Sequence, residues 1–324
     1  MQVIFFGSGE FAVPVLQRLH ARGCSIPLVV TQPDRPAGRF PRLHPTPVKE
    51  SALALGLSLL QPDDPAESGF LARIRSEAPD LCIVAAYGCR LPGELLAVPK
   101  RGFINAHASL LPKYRGAAPV PHAIWNGEKE TGVTVFRVEE DWDAGPVYAF
   151  ARTPIRPDDT SGSVLDRLAG LAAGLLAQVA SEIETGCATP LPQDHALATR
   201  APRLRRKDGR IDWAEPAEAI ERQVRALQPW PIAFTLLARA EAPPCRLQVL
   251  GAALEPEGAL PSKGEKPGTV LEADPRIGML VAAGGGALRL TRVKAAGKRA
   301  LDGAAYVRGA RIRRGMLLGA GKPF

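Results

Sequence analysis

An asparagine and a histidine two residues apart open the stretch of this chain richest in chemically capable side chains. It reads Ile104-Asn105-Ala106-His107-Ala108-Ser109-Leu110-Leu111-Pro112-Lys113-Tyr114-Arg115-Gly116. On an extended backbone a spacing of two sends Asn105 and His107 to the same face. An imidazole gives or takes a proton near neutral pH, and a carboxamide can donate to an oxygen that is becoming an anion. By composition alone the stretch also reads as a polar loop with a hydrogen-bonded histidine. A carboxylate would complete the set by fixing the tautomer and orientation of the ring. The acidic turn Glu139-Glu140-Asp141-Trp142-Asp143-Ala144-Gly145-Pro146 can supply it. Among its four carboxylates we expect Asp143 to be the partner, because it stands beside Gly145 at the tip of a turn held by a strand and its return. An imidazole, an amide and a carboxylate suit acyl transfer to an amine with no covalent intermediate. Asn105, His107 and Asp143 are the expected catalytic residues. The chain has no Gly-x-Ser-x-Gly elbow and no phosphate-cradling P-loop, and no cysteine has local support as a nucleophile. Ser109 is expected to be a hydrogen-bonder within its loop.

The elements that must position these groups follow from periodicity. Val3 to Phe6 is a short apolar run, Gly7-Ser8-Gly9 a tight turn, and Phe11, Val15, Leu16 and Leu19 recur at helical spacing before the next strand, Ile26 to Thr31. The opening is thus a βαβ unit. Gly7-Ser8-Gly9-Glu10-Phe11-Ala12, with Asp34 further on, formally fits a dinucleotide-binding fingerprint. Alternation continues through helices near Val48–Leu55 and Ser68–Glu77 and strands at Leu57–Leu60, Leu81–Ala86 and Phe103–Ala106. This predicts a doubly wound, mostly parallel sheet. In such sheets ligands bind at the carboxyl ends of the strands, where the loop after Tyr87 and the stretch from Asn105 to Pro112 both fall. A long amphipathic helix over Ser163–Ile183 follows the acidic turn. Beyond about residue 235 the pattern becomes short strands split by Gly and Pro, which predicts a small OB-like β-barrel. The expected division is a catalytic domain over 1–186, a linker over 187–209 and a barrel domain over 210–324.

Composition narrows the partners. The chain has 324 residues, 46% hydrophobic and 23% charged, with a net charge of +8. Residues 201–324 hold 22 Lys and Arg against 12 Asp and Glu, and residues 1–200 hold 19 against 21. All the positive excess therefore lies in the second domain, which points to a polyanion, nucleic acid first. Between Gln32 and Lys49 a proline-rich loop carries Arg35, Arg39, Arg42 and Lys49, placed to meet a phosphate backbone. The five cysteines are odd in number and show no CxxC spacing, so reduced thiols are expected and a metal site is not. No membrane-spanning or signal segment is expected, the reduced thiols point to a cytoplasmic protein, and a monomer is the default.

The run Asn105 to Pro112, followed by Lys113-Tyr114-Arg115-Gly116-Ala117-Ala118-Pro119, resembles the signature of the 10-formyltetrahydrofolate-dependent formyltransferases. Thr31 to Arg39, Arg210-Ile211-Asp212-Trp213, Pro229-Trp230-Pro231 and Ala295 to Ala300 are similar to the branch of that family acting on tRNA. The resemblance implies a Rossmann-like formyltransferase fold, 10-formyltetrahydrofolate as co-substrate, and the α-amino group of methionine on initiator tRNA as acceptor. It assigns catalysis to Asn105, His107 and Asp143. It assigns folate contacts to Ser109, Leu110, Leu111 and Pro112, with Tyr87, Gly88 and Leu91 from the loop beside the pterin. It assigns tRNA contacts to Arg35, Arg39 and Arg42, with Arg206 and Lys207 from the linker. It makes the Gly7–Gly9 turn structural. Trp142-Asp143-Ala144-Gly145-Pro146 departs from the usual Leu-Asp-Thr-Gly-Asp while keeping the Asp and the Gly. Three other readings stand beside this one: a formyltransferase acting on an amino sugar nucleotide or glycinamide ribonucleotide, a nicotinamide-dependent oxidoreductase, and a non-catalytic nucleic-acid-binding protein.

Overall fold

The computed structural model describes residues 1–37, 42–237, 244–255 and 265–319. Its elements run, in chain order, β1 (Gln2–Gly7), α1 (Val13–Ala21), β2 (Ser25–Val30), β3 (Arg35–Ala37), β4 (Arg42–His44), α2 (Pro47–Ala54), β5 (Leu59–Leu60), α3 (Ser68–Ser76), β6 (Leu81–Ala85), α4 (Gly93–Leu96), β7 (Phe103–His107), α5 (Pro119–Trp125), β8 (Glu130–Arg137), β9 (Val147–Pro154) and α6 (Ser161–Thr185). There follow α7 (Ala217–Ala226), β10 (Phe234–Leu237), β11 (Cys245–Leu254), β12 (Val270–Asp274), β13 (Gly278–Ala282), β14 (Ala287–Ala295), β15 (Leu301–Asp302) and α8 (Gly303–Ala310).

The chain divides into two compact units. The first comprises Met1–Pro119, Glu130–Pro154 and Ser163–Pro202, and the second Val120–Lys129, Ile155–Gly162 and Arg203 onward. Residues 187–209, expected as a linker, are therefore shared: Cys187–Pro202 packs in the first unit and Arg203–Gly209 in the second. Most of α5 with the residues after it, and the short segment after β9, belong to the second unit and meet α7. There Arg222 Nε donates to the Trp125 carbonyl, Arg225 Nη1 to that of Asp159, and Ser161 Oγ to that of Ala226.

In the first unit a seven-stranded sheet has the order β5-β2-β1-β6-β7-β8-β9. It is parallel as far as β7 and antiparallel from β7 to β9. Strands buried on both faces read as unbroken apolar runs, and Val3–Phe6 and Leu81–Ala85 are buried throughout. Phe6, Tyr87 and Phe103 form a ring cluster beneath the sheet's carboxyl edge, with centroids 5.5 Å and 5.3 Å apart. On the opposite stripe, α6 buries Val164, Leu168, Ala172, Leu176 and Val179. By length and composition α6 is apolar enough to cross a membrane, but half of that window lies inside the protein, as expected of a core helix.

The proline-rich segment is not a plain loop. β3 and β4 pair as an antiparallel hairpin, with Arg35 opposite His44. Thr46 caps α2 by accepting from Lys49 N at 3.1 Å, and Pro47 stands at the first helical position, where its missing donor costs nothing.

The second unit carries a six-stranded antiparallel sheet, β10-β11-β14-β13-β12 with β15 beside β14, an OB-like arrangement. Its core gathers Ile211, Trp213, Val224, Leu247, Val281 and Leu290. Trp213 Nε1 donates to Thr235 Oγ1 at 3.0 Å, which satisfies the buried indole.

Phe103 begins the strand that delivers Asn105 and His107 and is 1% exposed. Phe103→Ala should cost about 3–5 kcal/mol of stability, read as a lowered urea midpoint.

Candidate active site

β7 is the innermost parallel strand to border an antiparallel one. Its last residues emerge between β6 and β8, with Asn105 opposite Val84 and Phe136, and His107 opposite Thr134. Asn105 and His107 share a face, as their spacing predicts. His107 is 7% exposed and Asp143 9%. The ring and the carboxylate stand side by side, with His107 Nδ1 3.7 Å from Asp143 Oδ2. On its other side the ring meets the Tyr114 carbonyl, with Nε2 at 2.9 Å. A carbonyl only accepts, so Nε2 carries the hydrogen and Nδ1 presents its lone pair toward Asp143 when the ring is neutral. A proton taken at Nδ1 would lie against the carboxylate. The Asn105 Oδ1 is buried with no hydrogen-bond partner. A buried acceptor left unpaired costs about 1–3 kcal/mol, and a ligand's polar group would offset that cost.

The carboxylate is aimed by backbone. Asp143 Oδ2 accepts from Gly116 N at 2.8 Å. Asp143 itself adopts φ +54°, in the left-handed region that Asp tolerates better than most residues. Gly145 is required next to it: a Cβ there would stand 1.9 Å from the Arg137 carbonyl oxygen. Trp142, where the resemblance has Leu, is about half exposed.

The segment from Ser109 to Pro112 forms a braced wall. Ser109 is fully buried and its Oγ donates to the Lys113 carbonyl at 2.7 Å, so it shapes the turn as a hydrogen-bonder. Thr134 on β8 ties the wall down twice: its Oγ1 donates to the Ser109 carbonyl at 2.7 Å and accepts from Leu111 N at 3.0 Å. Leu110, Leu111 and Pro112 are half-buried. Leu110 packs over Gly132, where a Cβ would approach Leu110 Cδ2 to 2.5 Å.

Across the sheet edge, the loop after β6 is held by the β1 turn. Ser8 N and Gly9 N donate to the Ala86 carbonyl at 3.2 and 3.3 Å. Gln32 Nε2 donates to the Tyr87 carbonyl at 2.7 Å. Gly7 has no room for a side chain, since a Cβ would meet Ala12 Cβ at 2.9 Å and the Ala85 carbonyl at 3.0 Å. The Gly7–Gly9 turn is thus occupied in bracing this loop. The rings and aliphatic groups of Tyr87 and Leu91 point into the core with Phe6 and Phe103, and burial pushes the Tyr87 phenol up. What this loop offers a ligand is its exposed backbone at Ala86 and Gly88, the latter at φ +79°.

The cations fall into separate groups. Arg35 is exposed on the hairpin. Arg42 stands on β4, opposite Ala37. Arg39 lies outside the described residues. Lys49 is paired with Asp34 at 2.7 Å and donates to Gln61 at 2.8 Å. The Gln61 amide and Lys49 hold the Asp34 carboxyl below its usual range, so neither residue is a free ligand for ribose or phosphate. Arg206 and Lys207 are exposed on a short helical turn of the second unit, Arg206–Gly209. Among the described residues, no group of three His, Cys, Asp or Glu side chains is placed to hold a metal ion.

Two contributions had no signal in the sequence. One is Thr134, an alternating strand position like many others. The other is Gln193, from the aperiodic stretch after α6, whose amide reaches the carbonyls of Asp143 and Gly145.

The chain has known relatives. Residues 1–180 match the family described as "Formyl transferase", and residues 203–311 match "Formyl transferase, C-terminal domain". The chain belongs to the formyl transferase family. It is 44% identical over 319 residues to the methionyl-tRNA formyltransferase of Moorella thermoacetica, covering 98% of this chain and 99% of that one. It is 43% identical over 319 residues to the methionyl-tRNA formyltransferase of Thermus thermophilus, with the same coverage. Among solved structures it shares the fold of a sugar 3N-formyltransferase, WlaRD, at a TM-score of 0.65, 16% identity and coverage of 92% of this chain and 99% of that one. It also shares the fold of HypX from Aquifex aeolicus in complex with tetrahydrofolic acid, at a TM-score of 0.63 and 20% identity, covering 95% of this chain and 47% of that one.

The contact with the Tyr114 carbonyl makes a spectroscopic demand. At a pH where the ring is neutral, 15N spectra of histidine-labelled protein should show His107 as the Nε2–H tautomer. An Nδ1–H tautomer would contradict the arrangement.

Proposed function

We propose that this protein transfers a formyl group from 10-formyltetrahydrofolate to the α-amino group of methionine carried by initiator tRNA. The observation that carries the reading is the buried His107–Asp143 pair, with Asn105, whose buried Oδ1 has no hydrogen-bond partner, on the same face of β7. Likeness over both domains to relatives named for the methionyl-tRNA substrate supports this choice of acceptor.

In this reading the folate presents its formyl carbon between the wall from Ser109 to Pro112 and the backbone of the loop after Tyr87. The Leu110, Leu111 and Pro112 surfaces exclude water, and Gly88 leaves room for close approach. The methionine amine, once neutral, attacks the formyl carbon. The carbonyl oxygen becomes an oxyanion, and the Asn105 amide, turned with its NH2 inward, donates to it. His107 accepts the proton released from the attacking nitrogen at Nδ1, where it faces the Asp143 carboxylate. When the intermediate collapses, the bond from carbon to the folate nitrogen breaks and the same proton serves that nitrogen. Throughout, Nε2–H stays on the Tyr114 carbonyl, so the ring does not turn between steps.

The tRNA would be met by cations outside this pocket. Arg35 and Arg42 stand on the paired strands β3 and β4, Arg39 falls in the sequence between them, and Arg206 and Lys207 lie at the start of the second unit. The basic excess after residue 200 is the electrostatic footprint such a polyanion requires. The protein works in the cytoplasm as a monomer in this reading, with 1–186 catalytic and 210–324 binding tRNA.

The decisive assay offers 10-formyltetrahydrofolate with initiator and elongator methionyl-tRNA side by side; formylation of the initiator species is expected. Activity confined to an amino sugar nucleotide would overturn the choice of acceptor. His107→Ala should lower kcat by about 10²–10⁴-fold while the thermal transition is retained, and normal turnover in that variant would sink the mechanism. Replacing both Arg206 and Lys207 by Ala should weaken tRNA binding and reduce the slope of log K against log salt by about one per lost contact.

A further inference from the structure

Gln193 occupies a position that no resemblance assigned. It is 8% exposed, and all of its hydrogen-bonding capacity is directed at the acidic turn and at one arginine. Its Nε2 donates to the Asp143 carbonyl at 2.9 Å and to the Gly145 carbonyl at 2.7 Å. Its Oε1 accepts from Arg115 Nη2 at 2.7 Å and Nε at 3.2 Å. Two carbonyls at one end and a guanidinium at the other leave the amide a single satisfied orientation. The residue after Arg115 is Gly116, whose N–H holds the Asp143 carboxylate at 2.8 Å. The circuit closes: Gln193 holds the backbone of Asp143, Arg115 holds Gln193, and the neighbour of Arg115 holds the side chain of Asp143. The same segment is fastened further along, where Arg115 N donates to the Thr199 carbonyl at 2.9 Å and Ala201 N to the Arg115 carbonyl at 2.7 Å.

Asp143 needs such an anchor. A non-glycine residue at φ +54° persists only where its surroundings determine it; the turn's base is closed by Arg137 N donating to the Pro146 carbonyl at 2.9 Å, while at its tip the backbone bond is a 3.3 Å one from Ala144 N to the Asp141 carbonyl. Without the Gln193 amide the two carbonyls would be left without this partner and the turn could relax, carrying the carboxylate away from His107 Nδ1. We infer that Gln193 is a positioning residue for the formyl transfer, acting through Asp143. The inference rests on the proposed role of Asp143 as the partner of His107.

The test is a double-mutant cycle on kcat for formylation of methionyl-tRNA. Gln193→Leu removes every polar contact. Gln193→Glu keeps the acceptor for Arg115 but turns an oxygen toward the two carbonyls. Each should lower kcat by about 10- to 100-fold, as expected for a small misplacement of a reacting group, and leave KM for folate and tRNA within about threefold. In an Asp143→Asn background neither should cause a further loss. Equal losses in both backgrounds, or unchanged kcat in Gln193→Glu, would overturn the inference. Unfolding of both variants, read by circular dichroism, would also overturn it by making Gln193 a residue of stability alone. Full activity in Asp143→Asn itself would count against the site reading on which the inference stands.

Discussion

Two backbone groups on one short segment, the carbonyl of Tyr114 and the N–H of Gly116, hold the His107 ring and the Asp143 carboxylate. The first accepts from the His107 ring and the second donates to the Asp143 carboxylate. Tyr114 and Gly116 both take positive φ, 62° and 121°, and at Gly116 a Cβ would stand 2.6 Å from the Ala201 carbonyl. The segment can hold this form because the chain after α6 returns to pair with it through Thr199 and Ala201. Imidazole and carboxylate arrive from different strands, β7 and the β8–β9 turn, yet their relative placement is set by two peptide groups on a third element. Peptide groups do not titrate and have few rotamers, so the geometry survives proton movement within it.

The same economy appears at the opposite wall. A glycine-rich turn after β1 is, in many doubly wound sheets, the seat of a phosphate. Here its N–H groups are given to the Ala86 carbonyl and its small residues to close packing against β6. The turn therefore builds the loop beside the site. Asp34, the acid that completed the fingerprint, is engaged by Lys49 and Gln61. The dinucleotide reading falls because its groups are already satisfied elsewhere.

Electrostatics divides the molecule by task. His107 and Asp143 lie in a near-neutral unit, nearly buried and 3.7 Å apart. Arg35 on the hairpin, and Arg206 and Lys207 after residue 200, are exposed. Lys49 shows that composition does not equal function: it stands among the loop cations but neutralises a neighbour.

The βα alternation, the buried runs of β1 and β6, the shared face of Asn105 and His107 and the exposed basic excess were all legible in the sequence. Each depends on local period or on charge count. Asp143 was chosen among four carboxylates from its place in the acidic turn, and the family resemblance implied the same residue, because Asp and Gly persist there where Leu, Thr and the second Asp do not. Several features were decided only by tertiary structure. The hairpin of β3 and β4 escaped because strands of three residues carry no measurable alternation. The supposed linker is split between two units because backbone pairing with Thr199 and Ala201 leaves no trace in side-chain pattern. Tyr87 and Leu91 lie in a loop expected beside the pterin, yet their side chains turn into the core, since the register of β6 sets which way the following residues face. Gln193 stood in an aperiodic, proline-rich stretch. Its importance comes from two carbonyls some fifty residues away in sequence, and only the closed chain brings donors and acceptors that distant within a hydrogen bond of each other.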